Sequence, residues 1–182
     1  MTYDKTITLK DGRSCRLRSG TEADGAALLS LFVLTHGQTD YLLTYPDENT
    51  LTEDDEKKFL REKEASGDGL ELLAELDGRL VASAGFGRVG SQEKLRHRAE
   101  FGIAVDRDYW GLGIGRALTE ACIACAAAAG YMQLELDVVA GNRAARALYE
   151  HEGFVEFGRN PRGFSSRSGG WQELVLMRRE LD

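Results

Sequence analysis

The sequence is most informative at Val105-Asp-Arg-Asp-Tyr-Trp-Gly-Leu-Gly-Ile-Gly-Arg-Ala-Leu118. The apolar run 101–105 leads into this stretch and predicts a strand, and the alanine-rich run that follows it predicts a helix. Three glycines at alternate positions, Gly111, Gly113 and Gly115, therefore lie in a loop that opens a helix. Backbone amides without side chains around them, together with the positive end of the helix dipole, predict a site for an anion such as a phosphate group.

Known phosphate-binding loops match this stretch only in part. A P-loop ends in Gly-Lys-Ser or Gly-Lys-Thr, and here Gly115 is followed by Arg116, which excludes that class. A dinucleotide-binding loop has the spacing G-x-G-x-x-G directly after its strand and an acidic residue about 20 positions later. Glu135 or Asp137 would supply the acid, but the spacing here is G-x-G-x-G and residues 106–110 separate the strand from the loop. A nucleotide-dependent oxidoreductase is one alternative, and a turn that only needs positive φ is the purely structural one.

The segments on either side predict a chain of strands and helices. Asp-Gly pairs at 11–12 and 77–78 each join two alternating or apolar runs, which is typical of β-hairpins. The predicted elements are a strand or hairpin over 7–18, helices over 26–34 and 53–66, strands over 70–76, 79–86, 101–105 and 132–139, a helix over 142–152, and strands over 154–158 and 171–179. Strands mixed with helices after an early series of hairpins predict an α/β (α+β) fold with a mixed sheet.

Composition limits the class of protein. The chain has 182 residues, of which 42% are hydrophobic and 29% charged, so we expect a single globular domain over 1–182. A net charge of −7 gives no overall field that would attract nucleic acid, and no apolar run is long enough to span a membrane. Three cysteines and the lack of a secretory signal favour a cytoplasmic protein.

Two motifs, in this order, are similar to the GNAT superfamily of acetyl-CoA-dependent N-acetyltransferases. The first resembles the family's loop Arg/Gln-x-x-Gly-x-Gly/Ala, where Trp110, Gly113 and Gly115 fall on the defining positions and Trp110 replaces Arg or Gln. The second is Asn142-Arg-Ala-Ala-Arg-Ala-Leu-Tyr149-Glu-His-Glu-Gly153-Phe154, which resembles Asn-x-x-Ala-x-x-Leu-Tyr-x-x-x-Gly-Phe. The resemblance covers nearly the whole chain.

This resemblance implies a GNAT-type domain, with helices flanking a mixed, mostly antiparallel sheet whose central strands, 101–105 and 132–139, splay apart. It also implies acetyl-CoA as the cosubstrate, with its pantetheine paired to the strand before the loop and its pyrophosphate on the loop amides. The cofactor-binding residues that it implies are Ile103, Val105, Gly111, Leu112, Gly113, Ile114, Gly115, Arg116 and Asn142.

The resemblance places Tyr149 near the thioester sulfur, where a phenol can protonate the leaving thiolate. The structural alternative for Tyr149 is a helix residue whose hydroxyl caps a neighbour. An alkylamine acceptor with a pKa of about 10.4 must also lose a proton, which costs roughly 4–5 kcal/mol at pH 7. Glu100 is the first candidate base, or else a solvated acid at a strand end, and Glu135 and Asp137 are second choices. No metal is expected, because the sparse cysteines have no second pair and no nearby histidine.

We therefore expect an acyltransferase that moves the acetyl group of acetyl-CoA by direct attack of a primary amine. The amine would belong to a small molecule or to a peptide or protein N-terminus, and the acidic chain would favour a cationic substrate. The alternative from another class is a catalytically silent acyl-CoA-binding regulatory module on the same fold. No nucleic acid or membrane partner is expected, and a homodimer is allowed. Residues 36–50 and the loops 87–98 and 159–170 are expected to set acceptor specificity.

Overall fold

The computed structural model describes residues 1–181, which form one eight-stranded sheet and four α-helices. The strands are β1 (Asp4–Thr8), β2 (Ser14–Ser19), β3 (Leu70–Leu76), β4 (Arg79–Arg88), β5 (Arg98–Val105), β6 (Gln133–Val139), β7 (Val155–Ser166) and β8 (Gly170–Glu180). The helices are α1 (Gly25–Gln38), α2 (Glu53–Ser66), α3 (Ile114–Ala128) and α4 (Arg143–His151). The strand order is β1-β2-β3-β4-β5-β6-β8-β7.

Local sequence signals account for most of these elements. The Asp-Gly pairs form the predicted turns, and Gly12 and Gly78 adopt φ of +86° and +74°, which glycine tolerates without strain. Helix α2 has the predicted bounds, because the Thr52 hydroxyl accepts from the amide of Asp55 at its N-terminus. Helix α1 is longer than the predicted 26–34 at both ends.

The sheet is mixed and mostly antiparallel, with one parallel junction. Strands β1 to β5 form an antiparallel meander, and β6, β8 and β7 continue the sheet in antiparallel pairs. Strands β5 and β6 run parallel and pair only through residues 98–100 and 133–135. Beyond these residues the two strands separate, which confirms the splayed centre. A dinucleotide-binding fold needs a parallel sheet, so that alternative was wrong.

Helices cover both faces of the sheet. Leu73 packs with Leu28 of α1 and Leu60 of α2, whereas its neighbour Leu72 belongs to the core cluster that contains Leu118 of α3 and Tyr149 of α4. Because successive strand residues point to opposite faces, α1 and α2 lie on one face and α3 and α4 on the other. Within residues 1–181 no helix combines the length and the apolar character that crossing a membrane requires.

One predicted loop is largely a strand. Residues 159–166 belong to β7, and Arg159, Asn160 and Phe164 pair with residues of β8. The register shifts between Asn160 and Phe164, so Pro161 lies in an irregular part of an edge strand, where its missing N–H does not break a ladder. Proline and glycine in this stretch mimic a loop pattern although the strand continues.

Candidate functional site

The glycine loop presents a row of unpaired amides. Gly111 and Gly113 adopt φ of +77° and +99°, and α3 begins at Ile114. The backbone amides of residues 111–116 donate to no acceptor within residues 1–181, whereas the amide of Ala117 starts the helix by donating to Gly113 at 3.1 Å. Such a row at a helix N-terminus fits a negatively charged group that accepts several hydrogen bonds.

Contacts that the sequence analysis missed hold this loop in place. Asp106 is buried, and its Oδ1 accepts from Gln38 Nε2 at 2.7 Å, while Gln38 Oε1 accepts from the amide of Arg107 at 2.8 Å. On the other side of the loop, the amide of Lys10 donates to Leu112 O at 3.1 Å. No local sequence pattern predicts these contacts, because residues 38 and 10 are far from the loop in sequence.

The edge of β5 next to the loop faces the opening between β5 and β6. The amide of Asp106 donates to Val81 O on β4, so backbone alternation turns the polar groups of Ile103 and Val105 away from β4 and into the opening. The carbonyl of Val105 already accepts from the Trp110 indole at 2.7 Å. Trp110 therefore caps the far end of this edge, and Ile103 presents its backbone groups nearer the base of the opening.

Tyr149 lies where the two central strands begin to separate. Its ring is buried and packs edge-on against Phe101, the first residue of β5 beyond the parallel ladder, with 6.2 Å between ring centroids. The hydroxyl makes no hydrogen bond to residues 1–181, so it does not cap a neighbour as the structural alternative supposed. Burial raises the pKa of Tyr149 to about 12, which keeps the phenol protonated at neutral pH.

Glu100 is exposed on the opposite face of the same strand. It is the last β5 residue in the parallel ladder and lines a cavity of about 640 Å³ under α1 and α2. Three glycines on that face, Gly85, Gly87 and Gly102, form part of the cavity floor. A Cβ placed on Gly102 would meet no heavy atom within 4 Å, so the cavity stands open directly above β5.

The two second-choice acids differ in their surroundings. Glu135 faces Glu100 in the ladder, but its carboxylate is bound by Arg98 and by Gln133 Nε2 at 2.8 Å. The Arg98 guanidinium lowers the pKa of Glu135, which makes it a poor proton acceptor. Asp137 is an exposed residue further along β6, but its carboxyl is partly desolvated there, which together with the nearby Glu135 raises its pKa.

Two of the residues expected to contact the cofactor have structural partners. The Arg116 guanidinium binds Glu120 at 2.8 Å and lies 3.3 Å from Glu152, so it points along α3 rather than into the loop. The side chain of Asn142 caps α4, where Oδ1 accepts from the amide of Ala145 at 3.2 Å. Among residues 1–181 no group of three or more His, Cys, Asp or Glu side chains is arranged to hold a metal ion.

The arrangement suits acyl transfer through the sheet. The amide row at 111–116 can hold a phosphate at one end of the opening, and the backbone of β5 can pair with an extended chain along it. Glu100 and Phe101 are adjacent in β5 and therefore point to opposite faces of the sheet. Because Tyr149 packs on Phe101, Tyr149 and Glu100 lie on opposite faces beside the same part of the strand. A reactive group in the opening would therefore meet a protonated phenol on one side and a carboxylate with an open cavity on the other.

Comparison with known proteins agrees with this geometry. A family model described as "Acetyltransferase (GNAT) family" matches residues 36–154. The acetyltransferase of GNAT family from Streptococcus pneumoniae superimposes with a TM-score of 0.88 at 28% identity, covering 91% of this chain and 99% of that chain.

Two curated relatives are similar over part of their length. L-amino acid N-acyltransferase MnaT of Escherichia coli is 30% identical over 111 residues, which are 61% of this chain and 64% of that protein. The ribosomal protein bS18-alanine N-acetyltransferase of Escherichia coli is 42% identical over 87 residues, which are 48% of this chain and 58% of that protein. The matched regions therefore span less than two thirds of these relatives.

Proposed function

Because the chain belongs to the acetyltransferase (GNAT) family, we propose that it transfers the acetyl group of acetyl-CoA to a primary amine. The observation that carries this proposal is the opening between β5 and β6, which has the unpaired amides of residues 111–116 at one end and Tyr149 at the other. Acetyl-CoA supplies a thioester, whose carbonyl carbon an amine can attack directly.

The glycine loop and β5 are proposed to bind and orient this cosubstrate. The amides of residues 111–116 would hold the pyrophosphate, with Gly111 and Gly113 providing the backbone conformation. The backbone groups of Ile103 would pair with pantetheine. Those of Val105 would also pair with it, either while the Trp110 indole stays bound to the Val105 carbonyl or after the indole is released. Arg116 and Asn142 would contribute through their positions at the starts of α3 and α4, since their side chains are already engaged.

Glu100 is proposed to take the first proton of the acceptor ammonium, and Tyr149 is proposed to stabilise the leaving thiolate. Glu100 would take a proton from the acceptor ammonium, directly or through water, because it lines the cavity from which an amine approaches. The free amine then forms the new C–N bond, and the C–S bond breaks to release the CoA thiolate. As the amide forms, its nitrogen gives up its second proton, which reaches the thiolate through water. Tyr149 would donate a hydrogen bond from its hydroxyl to that sulfur while the C–S bond breaks. Since its phenol is a weaker acid than a thiol of pKa about 8.5, hydrogen bonding accounts for most of its contribution.

The acceptor is proposed to bind in the 640 Å³ cavity under α1 and α2. Part of the segment 36–50 reaches this cavity, since His36 and Leu42 line it. Tyr45 and Asp47 of the same segment are tied to the tip of the β7–β8 hairpin through Arg167, whose amide donates to Tyr45 Oη at 2.9 Å. The cavity lining thus supports a role of residues 36–50 in acceptor specificity. The tip of the β7–β8 hairpin would affect specificity indirectly, through its contacts with Tyr45 and Asp47.

The experiment is an amine-dependent assay of CoA thiol release with wild type and Gly102→Val. No atom lies within 4 Å of the new Cβ, φ at Gly102 is not positive, and valine suits a strand, so the variant should fold. We expect the acceptor KM to rise at least about tenfold while the KM for acetyl-CoA stays within about twofold, because the side chain fills the cavity and not the opening. Release of thiol with no dependence on any amine would refute the proposed function.

The silent acyl-CoA-binding alternative finds no support, since both curated relatives are named as acyl- or acetyltransferases. A cytoplasmic location is consistent with three cysteines that are buried and free of disulfides. A homodimer stays a prediction, to be measured by light scattering coupled to gel filtration.

A further inference from the structure

Lys63 of α2 extends its ammonium group onto the cavity floor. Its Nζ donates to Phe86 O on β4 at 2.7 Å, and a Cβ placed on Gly87 would lie only 2.8 Å from this Nζ. The absence of a side chain at position 87 therefore gives the ammonium its place. The Lys63 side chain is half-buried and lies 5.5 Å from the centroid of the Phe59 ring.

The charge of Lys63 has no ion-pair partner among residues 1–181. No carboxylate oxygen of residues 1–181 lies within 4.0 Å of its Nζ, and Phe86 O is its one hydrogen-bond acceptor there. An ammonium has three donors, so two are left for another molecule. Burial lowers the pKa of Lys63, against an opposing effect of the nearby Glu71 carboxyl. A half-buried charge without a partner is costly, which makes it a candidate for ligand binding.

Glu71 also lines the cavity and compensates the charge of Lys63 only in part. Burial raises the pKa of Glu71 to about 7, so its carboxyl carries only part of a negative charge at neutral pH. The carboxyl lies over Gly85, in the space that a side chain at that position would need. It is therefore held against the sheet instead of reaching the Lys63 ammonium.

Lys63 lies beside the proposed base. Gly87 is the register partner of Glu100, and Cβ positions of such cross-strand pairs are about 5 Å apart. The ammonium on Gly87 and the Glu100 side chain thus border the same part of the cavity without forming an ion pair. An α-amino acid has an ammonium and a carboxylate on one carbon atom and would satisfy both groups. The helix side of the cavity is mainly apolar, with Leu28, Leu31, Phe32, Leu42, Leu51 and Phe59, and its polar members besides Lys63 are Thr35, His36, Asp55 and Glu56.

We propose that Lys63 binds the carboxylate of the acceptor, which is then a free α-amino acid with an apolar side chain whose amino group lies at Glu100. This inference rests on the proposed function. A peptide N-terminus carries an amide where Lys63 needs a carboxylate. A peptide N-terminus is therefore disfavoured at this cavity.

The test compares L-phenylalanine, L-methionine and L-leucine with their amides, by thiol release at saturating acetyl-CoA. For wild type we expect kcat/KM for at least one amino acid to exceed that for its amide by about tenfold or more. Lys63→Met should remove this preference, mainly through the acceptor KM, with the amide and acetyl-CoA values within about twofold of wild type. Lys58→Met is the matched control on the same helix, since Lys58 is exposed and its nearest acid, Glu62, is 3.9 Å away.

Calorimetric titration of the same amino acids and amides into the CoA-loaded enzyme separates the two proposals. Binding that requires the carboxylate and Lys63, without any acetylation, would support the anchor, meaning the binding of the acceptor carboxylate by Lys63, and would refute the transferase activity. Acetylation of amides as efficient as that of amino acids would keep the activity and overturn the anchor. The wild-type comparison decides this even if Lys63→Met fails to fold. Failure of all six compounds to bind would also overturn the anchor.

Discussion

Gly113→Ala offers the sharpest test of the glycine loop. Gly113 has φ of +99° and ψ of −2°, and a Cβ there would meet no atom within 4 Å, so the substitution adds backbone strain and no clash. An L-residue pays about 1–2 kcal/mol in a left-handed conformation. Gln38 and Lys10 hold the two sides of the loop, but the amides of residues 111–116 make no hydrogen bonds within residues 1–181, so the free loop can relax locally at residue 113 and the strain returns on binding. Since about 1.4 kcal/mol is tenfold in affinity, the Kd for acetyl-CoA should rise about 5- to 30-fold.

Gly115→Ala is the matched control for this prediction. Gly115 has no positive φ, and a Cβ there would make ordinary contacts of 3.7 to 4.0 Å with Leu148, Val105 and Ile103. Alanine is also the better helix former, by up to about 1 kcal/mol, so α3 should not weaken. We expect its Kd, measured by isothermal titration calorimetry, to stay within about twofold of wild type, and circular dichroism melting should show both variants folded. A folded Gly113→Ala with wild-type affinity would refute the assignment of these amides to the pyrophosphate.

Three further predictions concern the proton transfers and the stability of the fold. Tyr149→Phe should lower kcat by about 10- to 100-fold with little change in acetyl-CoA binding, because it removes a hydroxyl and keeps the packing on Phe101; an unchanged single-turnover rate would exclude the hydroxyl from the chemical step. Glu100→Gln should lower kcat/KM for the acceptor most near pH 7 and recover partly toward pH 9, where free amine is abundant; a raised acceptor KM with an unchanged pH profile would instead indicate that Glu100 only binds the cation. Asp24 pairs with Arg18 at 2.7 Å, and hydrogen bonding from Arg18 lowers the pKa of Asp24 to about 2, so this pair stabilises the protein above pH ~4 and is lost as the pH falls toward 2. Asp24→Asn should therefore lower the free energy of unfolding in urea by about 2 kcal/mol at pH 7 and flatten the decline of this free energy between pH 4 and 2. The same decline over this pH range in wild type and variant would contradict the prediction.

Short-range signals were sufficient to predict most of the elements and the glycine loop, but not the second half of β7. Thr52 and Asp55 cap α2 across three residues, and the glycine spacing placed a loop directly before α3, where Gly111 and Gly113 adopt positive φ. These features depend on atoms within a few residues of one another, so the sequence by itself contains them. The splayed strands followed from the family resemblance and not from the residues of β5 or β6, whose patterns say nothing about where a ladder stops.

The tertiary structure alone decided which polar groups remain available. Arg98 binds Glu135 across 37 positions, so one candidate base is already engaged. Lys63 and Glu100 meet on one floor only because β4 pairs with β5 in a particular register and α2 packs above them. Strand register and helix packing depend on contacts between residues far apart in the chain, and such contacts leave no periodic trace in the sequence around either residue.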